Sequence, residues 1–256
     1  MFFVDVHCHI DDALFDRDRH KVLERAKNSN VIAIISSALS PVSLERLFCL
    51  QKNYANYLYI TSGWDPTLFP DPIMLETYQN YIKSNRKKIV GIGEVGLDFY
   101  YIRDESKRNR QIKLFRNWIH FSQELDLPLI VHSRSAGKYS VKILFEENAK
   151  KVVMHAYDGR PGWALKAAEH GYYFSIPTSI WHSVQKQKLV KFLPLESLLL
   201  ETDSPVLAPF RDQRNEPSNI VYSAKKIAEI KNVELSVVAN ITTKNAFSLF
   251  KLQNTL

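Results

Sequence analysis

Phe2-Phe3-Val4-Asp5-Val6-His7-Cys8-His9 opens the chain with apolar residues and ends on two histidines one residue apart. The apolar start reads as a β-strand. Strand side chains alternate faces, so His7 and His9 point the same way, about 7 Å apart along the strand. Two imidazoles on one side of a strand end can share a metal ion, and imidazole nitrogen suits zinc, manganese, iron and nickel. Cys8 between them points away and is expected to pack rather than ligate. A His-x-His pair alone more often marks two unliganded histidines, so the decision rests with the rest of the chain.

Short β-rich runs recur beyond this strand at 31–36, 57–62, 89–93, 129–132, 152–155, 172–176 and 198–201, which with 2–6 makes eight. Amphipathic stretches separate them, at 19–28, 41–52, 72–84, 106–125, 137–148, 162–169, 183–192 and 218–231. Strand alternating with helix implies βαβ units and a parallel sheet. Eight units in 256 residues favour an α/β fold closed as a (β/α)8 TIM barrel. Residues 234–240 and 243–252 are expected as extra C-terminal helices on the outside. No low-complexity segment or Gly/Ser/Pro-rich linker divides the chain, so residues 1–256 are expected to be a single domain.

Composition narrows the class. Apolar residues make up 45% and charged residues 24%, which is ordinary for a soluble protein rather than a disordered one. No run of eighteen apolar residues would span a membrane. The start has no basic segment ahead of a long apolar core, so no secretory signal is expected. Two cysteines, Cys8 and Cys49, do not make a disulfide framework and point to a reducing cytoplasm. The net charge of +7 favours phosphate-rich partners.

The remaining metal-capable residues fall on the same map. Glu94 follows the fourth strand in Gly93-Glu94-Val95-Gly96-Leu97-Asp98, His132 and His155 end the fifth and sixth, and Asp203 follows the eighth. In a barrel these ends converge on one face, where active sites lie. Four histidines and two carboxylates can hold one or two divalent ions. Glu94 has two oxygens with which to bridge a pair, and Asp203 is placed to take a proton from water. So much buried charge is costly unless a cation compensates it.

These residues resemble those of the TatD-type metal-dependent deoxyribonucleases, within the amidohydrolase-like barrels. The likeness runs through Asp5-Val6-His7-Cys8-His9, Gly93–Asp98, Leu127–Arg134, His155–Gly159, Glu201–Pro209, Arg214-Asn215-Glu216-Pro217 and Asn245-Ala246-Phe247. It implies a hydrolase that cleaves DNA phosphodiester bonds, often 3′-to-5′ on single strands, with Mg, Mn or Zn. It implies one ion among His7, His9 and Asp203, with Glu94 bridging to a second held by His132 and His155. Arg134 would meet a substrate phosphate as a two-pronged fork, and Asn215 would shape the rim or cap a helix. Asp98 would orient a basic residue or cap its loop, and Trp64, Phe99, Tyr100 and Tyr101 are candidates to stack on bases. Oligomeric state is left open, with a monomer compatible.

Two positions depart from the family's pattern. Gly63-Trp64-Asp65-Pro66 stands where a Gly-x-His-Pro turn is usual, placing Asp65 beside substrate or metal with an added negative charge. Tyr157-Asp158 replaces a common Phe-Ser and is expected to discourage DNA on that side. Two other functions fit the same residues: a hydrolase of another ester, such as D-aminoacyl-tRNA, and a non-catalytic nucleic-acid-binding barrel.

Overall fold

The computed structural model describes residues 1–253, so the end of the expected 1–256 unit lies outside the described residues. The strands are β1 (Phe3–Cys8), β2 (Val31–Ala38), β3 (Leu58–Ser62), β4 (Gly91–Gly96), β5 (Leu129–His132), β6 (Val152–His155), β7 (Tyr173–Ile176) and β8 (Leu198–Leu200). They form one parallel sheet in chain order. Between them run α1 (Arg19–Asn28), α2 (Pro41–Gln51), α3 (Pro72–Ser84), α4 (Glu105–Glu124), α5 (Gly137–Glu146), α6 (Pro161–Glu169) and α7 (Val184–Phe192). Two C-terminal helices follow, α8 (Ile220–Lys231) and α9 (Leu235–Phe250). This is a nearly closed (β/α)8 barrel of the TIM type.

Local chemistry sets the helix starts. The Ser40, Asp71, Asp104 and Ser183 side chains each accept a hydrogen bond from an amide in the first turn of α2, α3, α4 and α7. Proline opens α2, α3 and α6, where its missing N–H costs nothing. The stretches 234–240 and 243–252, read as separate helices, join in α9. Nothing at Ile241-Thr242 breaks the turn: the Thr242 hydroxyl donates to Val238 O at 2.8 Å within the helix. Val238, Ala239, Thr242, Ala246 and Phe250 form one continuous buried stripe.

Apolar side chains divide into two layers. Leu129, Val131, Val152, Met154 and Phe174 face the surrounding helices. Val4, Val6, Ala33, Ile35, Ile130, Val153 and Leu199 form a second cluster, which Ala246 and Phe250 of α9 join. That helix lies across the starts of β1 and β8. The Thr243 hydroxyl donates to Phe2 O at 2.9 Å, and the Asn245 amide donates to Glu196 O and Leu198 O at 2.9 and 3.0 Å.

Besides a shift at the start of β1, between Phe3↔Val31 and Val4↔Ala33, the sheet departs from regularity at two functional positions. Between Asp5↔Ile34 and Cys8↔Ser36, β1 carries one residue more than β2. Between Ile92↔Leu129 and Val95↔Val131, β4 carries one more than β5. Such bulges re-aim side chains. Val6 stays with the inner apolar cluster while His7 faces the polar centre. Glu94, expected just after the fourth strand, lies within β4, because a 3₁₀ turn at Arg86–Lys88 delays the start of that strand. The seam between β1 and β8 is drawn together by backbone bonds from Asp203 N to His7 O and from His9 N to Ser204 O, at 2.9 and 2.8 Å. Asp5 reinforces it, accepting from Thr202 N at 2.9 Å and the Thr202 hydroxyl at 2.5 Å.

Candidate metal centre

His7, His9, Glu94, His132, His155 and Asp203 come together at the C-terminal ends of the strands. His7 Nε2 lies 3.3 Å from Glu94 Oε2 and 3.5 Å from Asp203 Oδ1. His9 Nε2 is 3.5 Å from each of the same two oxygens. His132 Nδ1 lies 2.6 Å from Glu94 Oε1, and His155 Nε2 3.8 Å from Asp203 Oδ2. Glu94 thus turns one oxygen toward His7 and His9 and the other toward His132. Ligand atoms lie within 4.8 Å of one another in three sets: His7, His9 and Glu94; His7, His155 and Asp203; Glu94, His132 and His155.

Three of the imidazoles are held from behind. His9 Nδ1 meets Ser37 O at 3.2 Å, His132 Nε2 meets Asp98 Oδ2 at 2.9 Å, and His155 Nδ1 meets Glu201 Oε2 at 2.8 Å. A proton donated outward leaves the inward nitrogen with its lone pair, the form a metal requires. His7 is buried, and neither of its ring nitrogens has a hydrogen-bond partner. Such orphaned atoms are rare unless something else binds them. The donor set therefore fits a divalent ion: imidazole suits zinc, carboxylate suits magnesium, and manganese accepts both.

The charges agree with this fit. Burial alone would lower the imidazoles, but Asp203 and Glu94 outweigh it and push His7 up to about 9. Burial likewise opposes a rise at His132, and Glu94 and Asp98 overcome it to push that imidazole up to about 10. Burial would raise the two carboxyls, yet His132 holds Glu94, and His155 holds Asp203, well below the usual carboxylate range. The carboxylates are ionised and ask for positive charge at the centre, which protons or a metal can supply.

Backbone geometry fixes the approach. Gly96 has φ +147°, and a Cβ there would lie 2.1 Å from His132 O; a Cβ at Gly63 would lie 2.3 Å from Glu94 O. Only glycine lets β3, β4 and β5 close so tightly around Glu94 and His132. Asp203 adopts φ 54°, a left-handed conformation that aspartate tolerates better than most residues.

Three further residues support the cluster or the loops around it. Asp98 performs both tasks read for it: Oδ2 meets His132, while Oδ1 accepts from Tyr100 N and Tyr101 N at 3.0 and 2.8 Å. Glu201, unassigned by sequence reading, is fully buried. It holds His155 through Oε2, accepts from Ala156 N at 2.9 Å through Oε1, and receives the Ser175 hydroxyl. Its spacing of two from Asp203 was the available signal. Lys186 of α7, also unassigned, donates to Ala156 O and Tyr157 O at 2.6 and 2.7 Å. Burial lowers its ammonium to about 8.

The cluster floors a basin of about 710 Å³. Arg134 and Asp65 both line it. The Arg134 guanidinium stacks over Tyr100 and Tyr101, 4.3 and 4.9 Å from their ring centres, and makes no ion pair among the described residues. Asp65 Oδ1 accepts from Thr67 N and the Thr67 hydroxyl at 2.8 and 2.7 Å. Asn215 differs from the expectation of substrate contact. It is fully buried behind the loop after β8, where its amide donates to Thr202 O and Val206 O at 2.8 Å each. It shapes the rim from within, and Glu216, not Asn215, occupies the cap of the following 3₁₀ turn. Trp64 and Phe99 are likewise buried, so of the four aromatic candidates only Tyr100 and Tyr101 are exposed. Asp158 Oδ2 accepts from Ser135 N at 2.8 Å, which spends part of its charge on the turn that carries Arg134.

Residues 4–251 match the model of a family described as TatD related DNase. The chain belongs to the TatD family. With membership comes the class: the protein is a hydrolase. It is 42% identical over 269 residues to the human deoxyribonuclease TATDN3, covering 99% of this chain and 96% of that one. It is 36% identical to YabD, a metal-dependent hydrolase of Bacillus subtilis, covering 97% and 98%. Among solved structures, the TatD homologue YJJV of Escherichia coli superposes with a TM-score of 0.90 at 27% identity, over 98% of both chains. A TatD family hydrolase from Entamoeba histolytica shares the fold, with a TM-score of 0.88 at 21% identity.

Proposed function

We propose that this TatD-family chain is a divalent-metal-dependent deoxyribonuclease, acting 3′-to-5′ on single strands as one barrel unit in the cytoplasm. The observation that carries the reading is the convergence of His7, His9, Glu94, His132, His155 and Asp203, with Glu94 common to two of the ligand sets. His7, His9 and Asp203 would hold one ion, His132 and His155 a second, and Glu94 would lie between them. When bound, such ions supply Lewis acidity at the phosphoryl group and lower the pKa of water. The chain supplies the rest. Asp203, ionised well below neutral pH, accepts the proton of the attacking water. Arg134, braced on Tyr100 and Tyr101, binds phosphate oxygens. Tyr101, exposed beside it, offers an edge or face to an unpaired base. Asp65, at the position of the family's usual histidine, adjusts metal preference or rate, and Asp65→His is expected to alter one of them.

The test uses metal-stripped protein and single-stranded DNA labelled at its 5′ end, with Mg, Mn or Zn restored in turn. A ladder shortening from the 3′ end is expected, absent with chelator and reduced about 10²–10³-fold in Glu94→Ala, which would loosen the hold on the ions whose charge stabilises the transition state. DNA left intact under every metal would remove the substrate assignment and pass it to esters such as D-aminoacyl-tRNA.

A further inference from the structure

Beyond Arg134 the basin continues into a second cavity of about 430 Å³. His132, Arg134, His155 and Asp203 belong to both, so whatever occupies the metal centre has this cavity as its neighbour. Ser133, Asp158, Lys186 and Leu207 also line it. Lys186 is 9% exposed, its ammonium has three N–H groups, and two of them go to the carbonyls of Ala156 and Tyr157. No carboxylate pairs with it among the described residues, and a buried ammonium is costly without an anion. Ser133 supplies an independent sign: its Oγ is buried and has no hydrogen-bond partner. Of the two acids in the wall, Asp203 belongs to the metal centre and Asp158 already turns Oδ2 to Ser135 N.

We propose that this cavity is a second phosphate subsite, in which Lys186 and Arg134 hold the phosphate next to the one at the metal centre. A tetrahedral phosphate offers acceptors to an ammonium from one side and a guanidinium fork from the other. Lys186 joins the two halves of the site, because the carbonyls it holds directly follow His155. The inference rests on the phosphodiesterase reading for the group at the metal centre, and on the cavity's own residues for the anion beside it.

The metal-loaded full chain is titrated calorimetrically with thymidine 3′,5′-bisphosphate and with each thymidine monophosphate. The bisphosphate is expected to bind at least tenfold more tightly than either monophosphate. Lys186→Met should reduce that ratio to about twofold, and Lys186→Arg should keep most of it. Equal affinities in the unsubstituted chain overturn the proposal without recourse to a variant, as does an undiminished ratio in folded Lys186→Met. A Lys186-dependent ratio in a chain that leaves DNA intact keeps the subsite and removes the deoxyribonuclease reading. DNA cleavage without any bisphosphate advantage does the reverse.

Discussion

Glu201 faces away from the basin, yet it fixes both the His155 ring and the amide that follows it. Glu201→Gln preserves size but presents an amide where an acceptor is needed. Metal affinity is expected to fall 10–100-fold, measured by competition against a chelator, with the far-ultraviolet circular dichroism unchanged. Unaltered affinity would mean that His155 needs no support from behind. The contrast between Glu201 and His155 explains what was readable at this scale. His7, His9, Glu94, His132, His155 and Asp203 were visible because each stands at or near a strand end, a place the alternation of strands and helices reveals. Asn215 was visible as part of a motif, but its direction was not: only the folded loop shows its amide turned inward. Lys186 gave no signal among so many lysines, since its role arises from carbonyls on a different loop.

Between elements, the tie from α1 to the segment after β8 is electrostatic. Arg214 grips Asp18 through two bonds of 2.7 Å, and Arg25 bonds Glu216. The paired bonds from Arg214 pull the Asp18 carboxyl down to about 2, against about 3.9 for an unfolded chain. A depressed carboxyl stabilises the fold above its unfolded value, and that contribution is lost as pH falls through the folded one. Arg214→Ala should therefore cost below about 1 kcal/mol at pH 7, as for solvent-screened pairs. The cost should shrink between pH 4 and pH 2.5, read from urea midpoints. A difference that stays constant with pH would assign Arg214 a packing role, over the Phe15 ring. Strand and helix existence was legible from periodicity, whereas the bulges in β1 and β4 were not. An extra residue appears only when the neighbouring strand fixes the register. The merger of 234–240 and 243–252 into α9 escaped for a related reason: the stripe that unites them is defined by the barrel it covers.

For the whole molecule, the +7 charge says nothing about where that charge lies. The basin itself is lined by Asp11, Asp12, Asp65 and Asp98, with Arg134 the one Lys or Arg among the described residues lining it. Cation binding should accordingly stabilise the fold. A divalent ion at a hundred times its Kd contributes about 2.7 kcal/mol, which is about 5–10 °C in Tm for a chain of this size. Thermal scans with and without zinc or manganese measure it, and His7→Ala should lose most of the gain. A Tm indifferent to both metals would contradict a metal centre built from these side chains.

The seam between β1 and β8 also sets a clock. Asp5 and Thr202, which bond across it, are 197 residues apart in the chain. At ordinary synthesis rates roughly 10–40 s separate their emergence from the ribosome. His7 and His9 must wait that long for Asp203, so a growing or prematurely ended chain lacks the carboxylate that would take the proton from water. A hydrolase assembled from its first and last strands is inert until its barrel is whole, and the cell is spared a half-made enzyme.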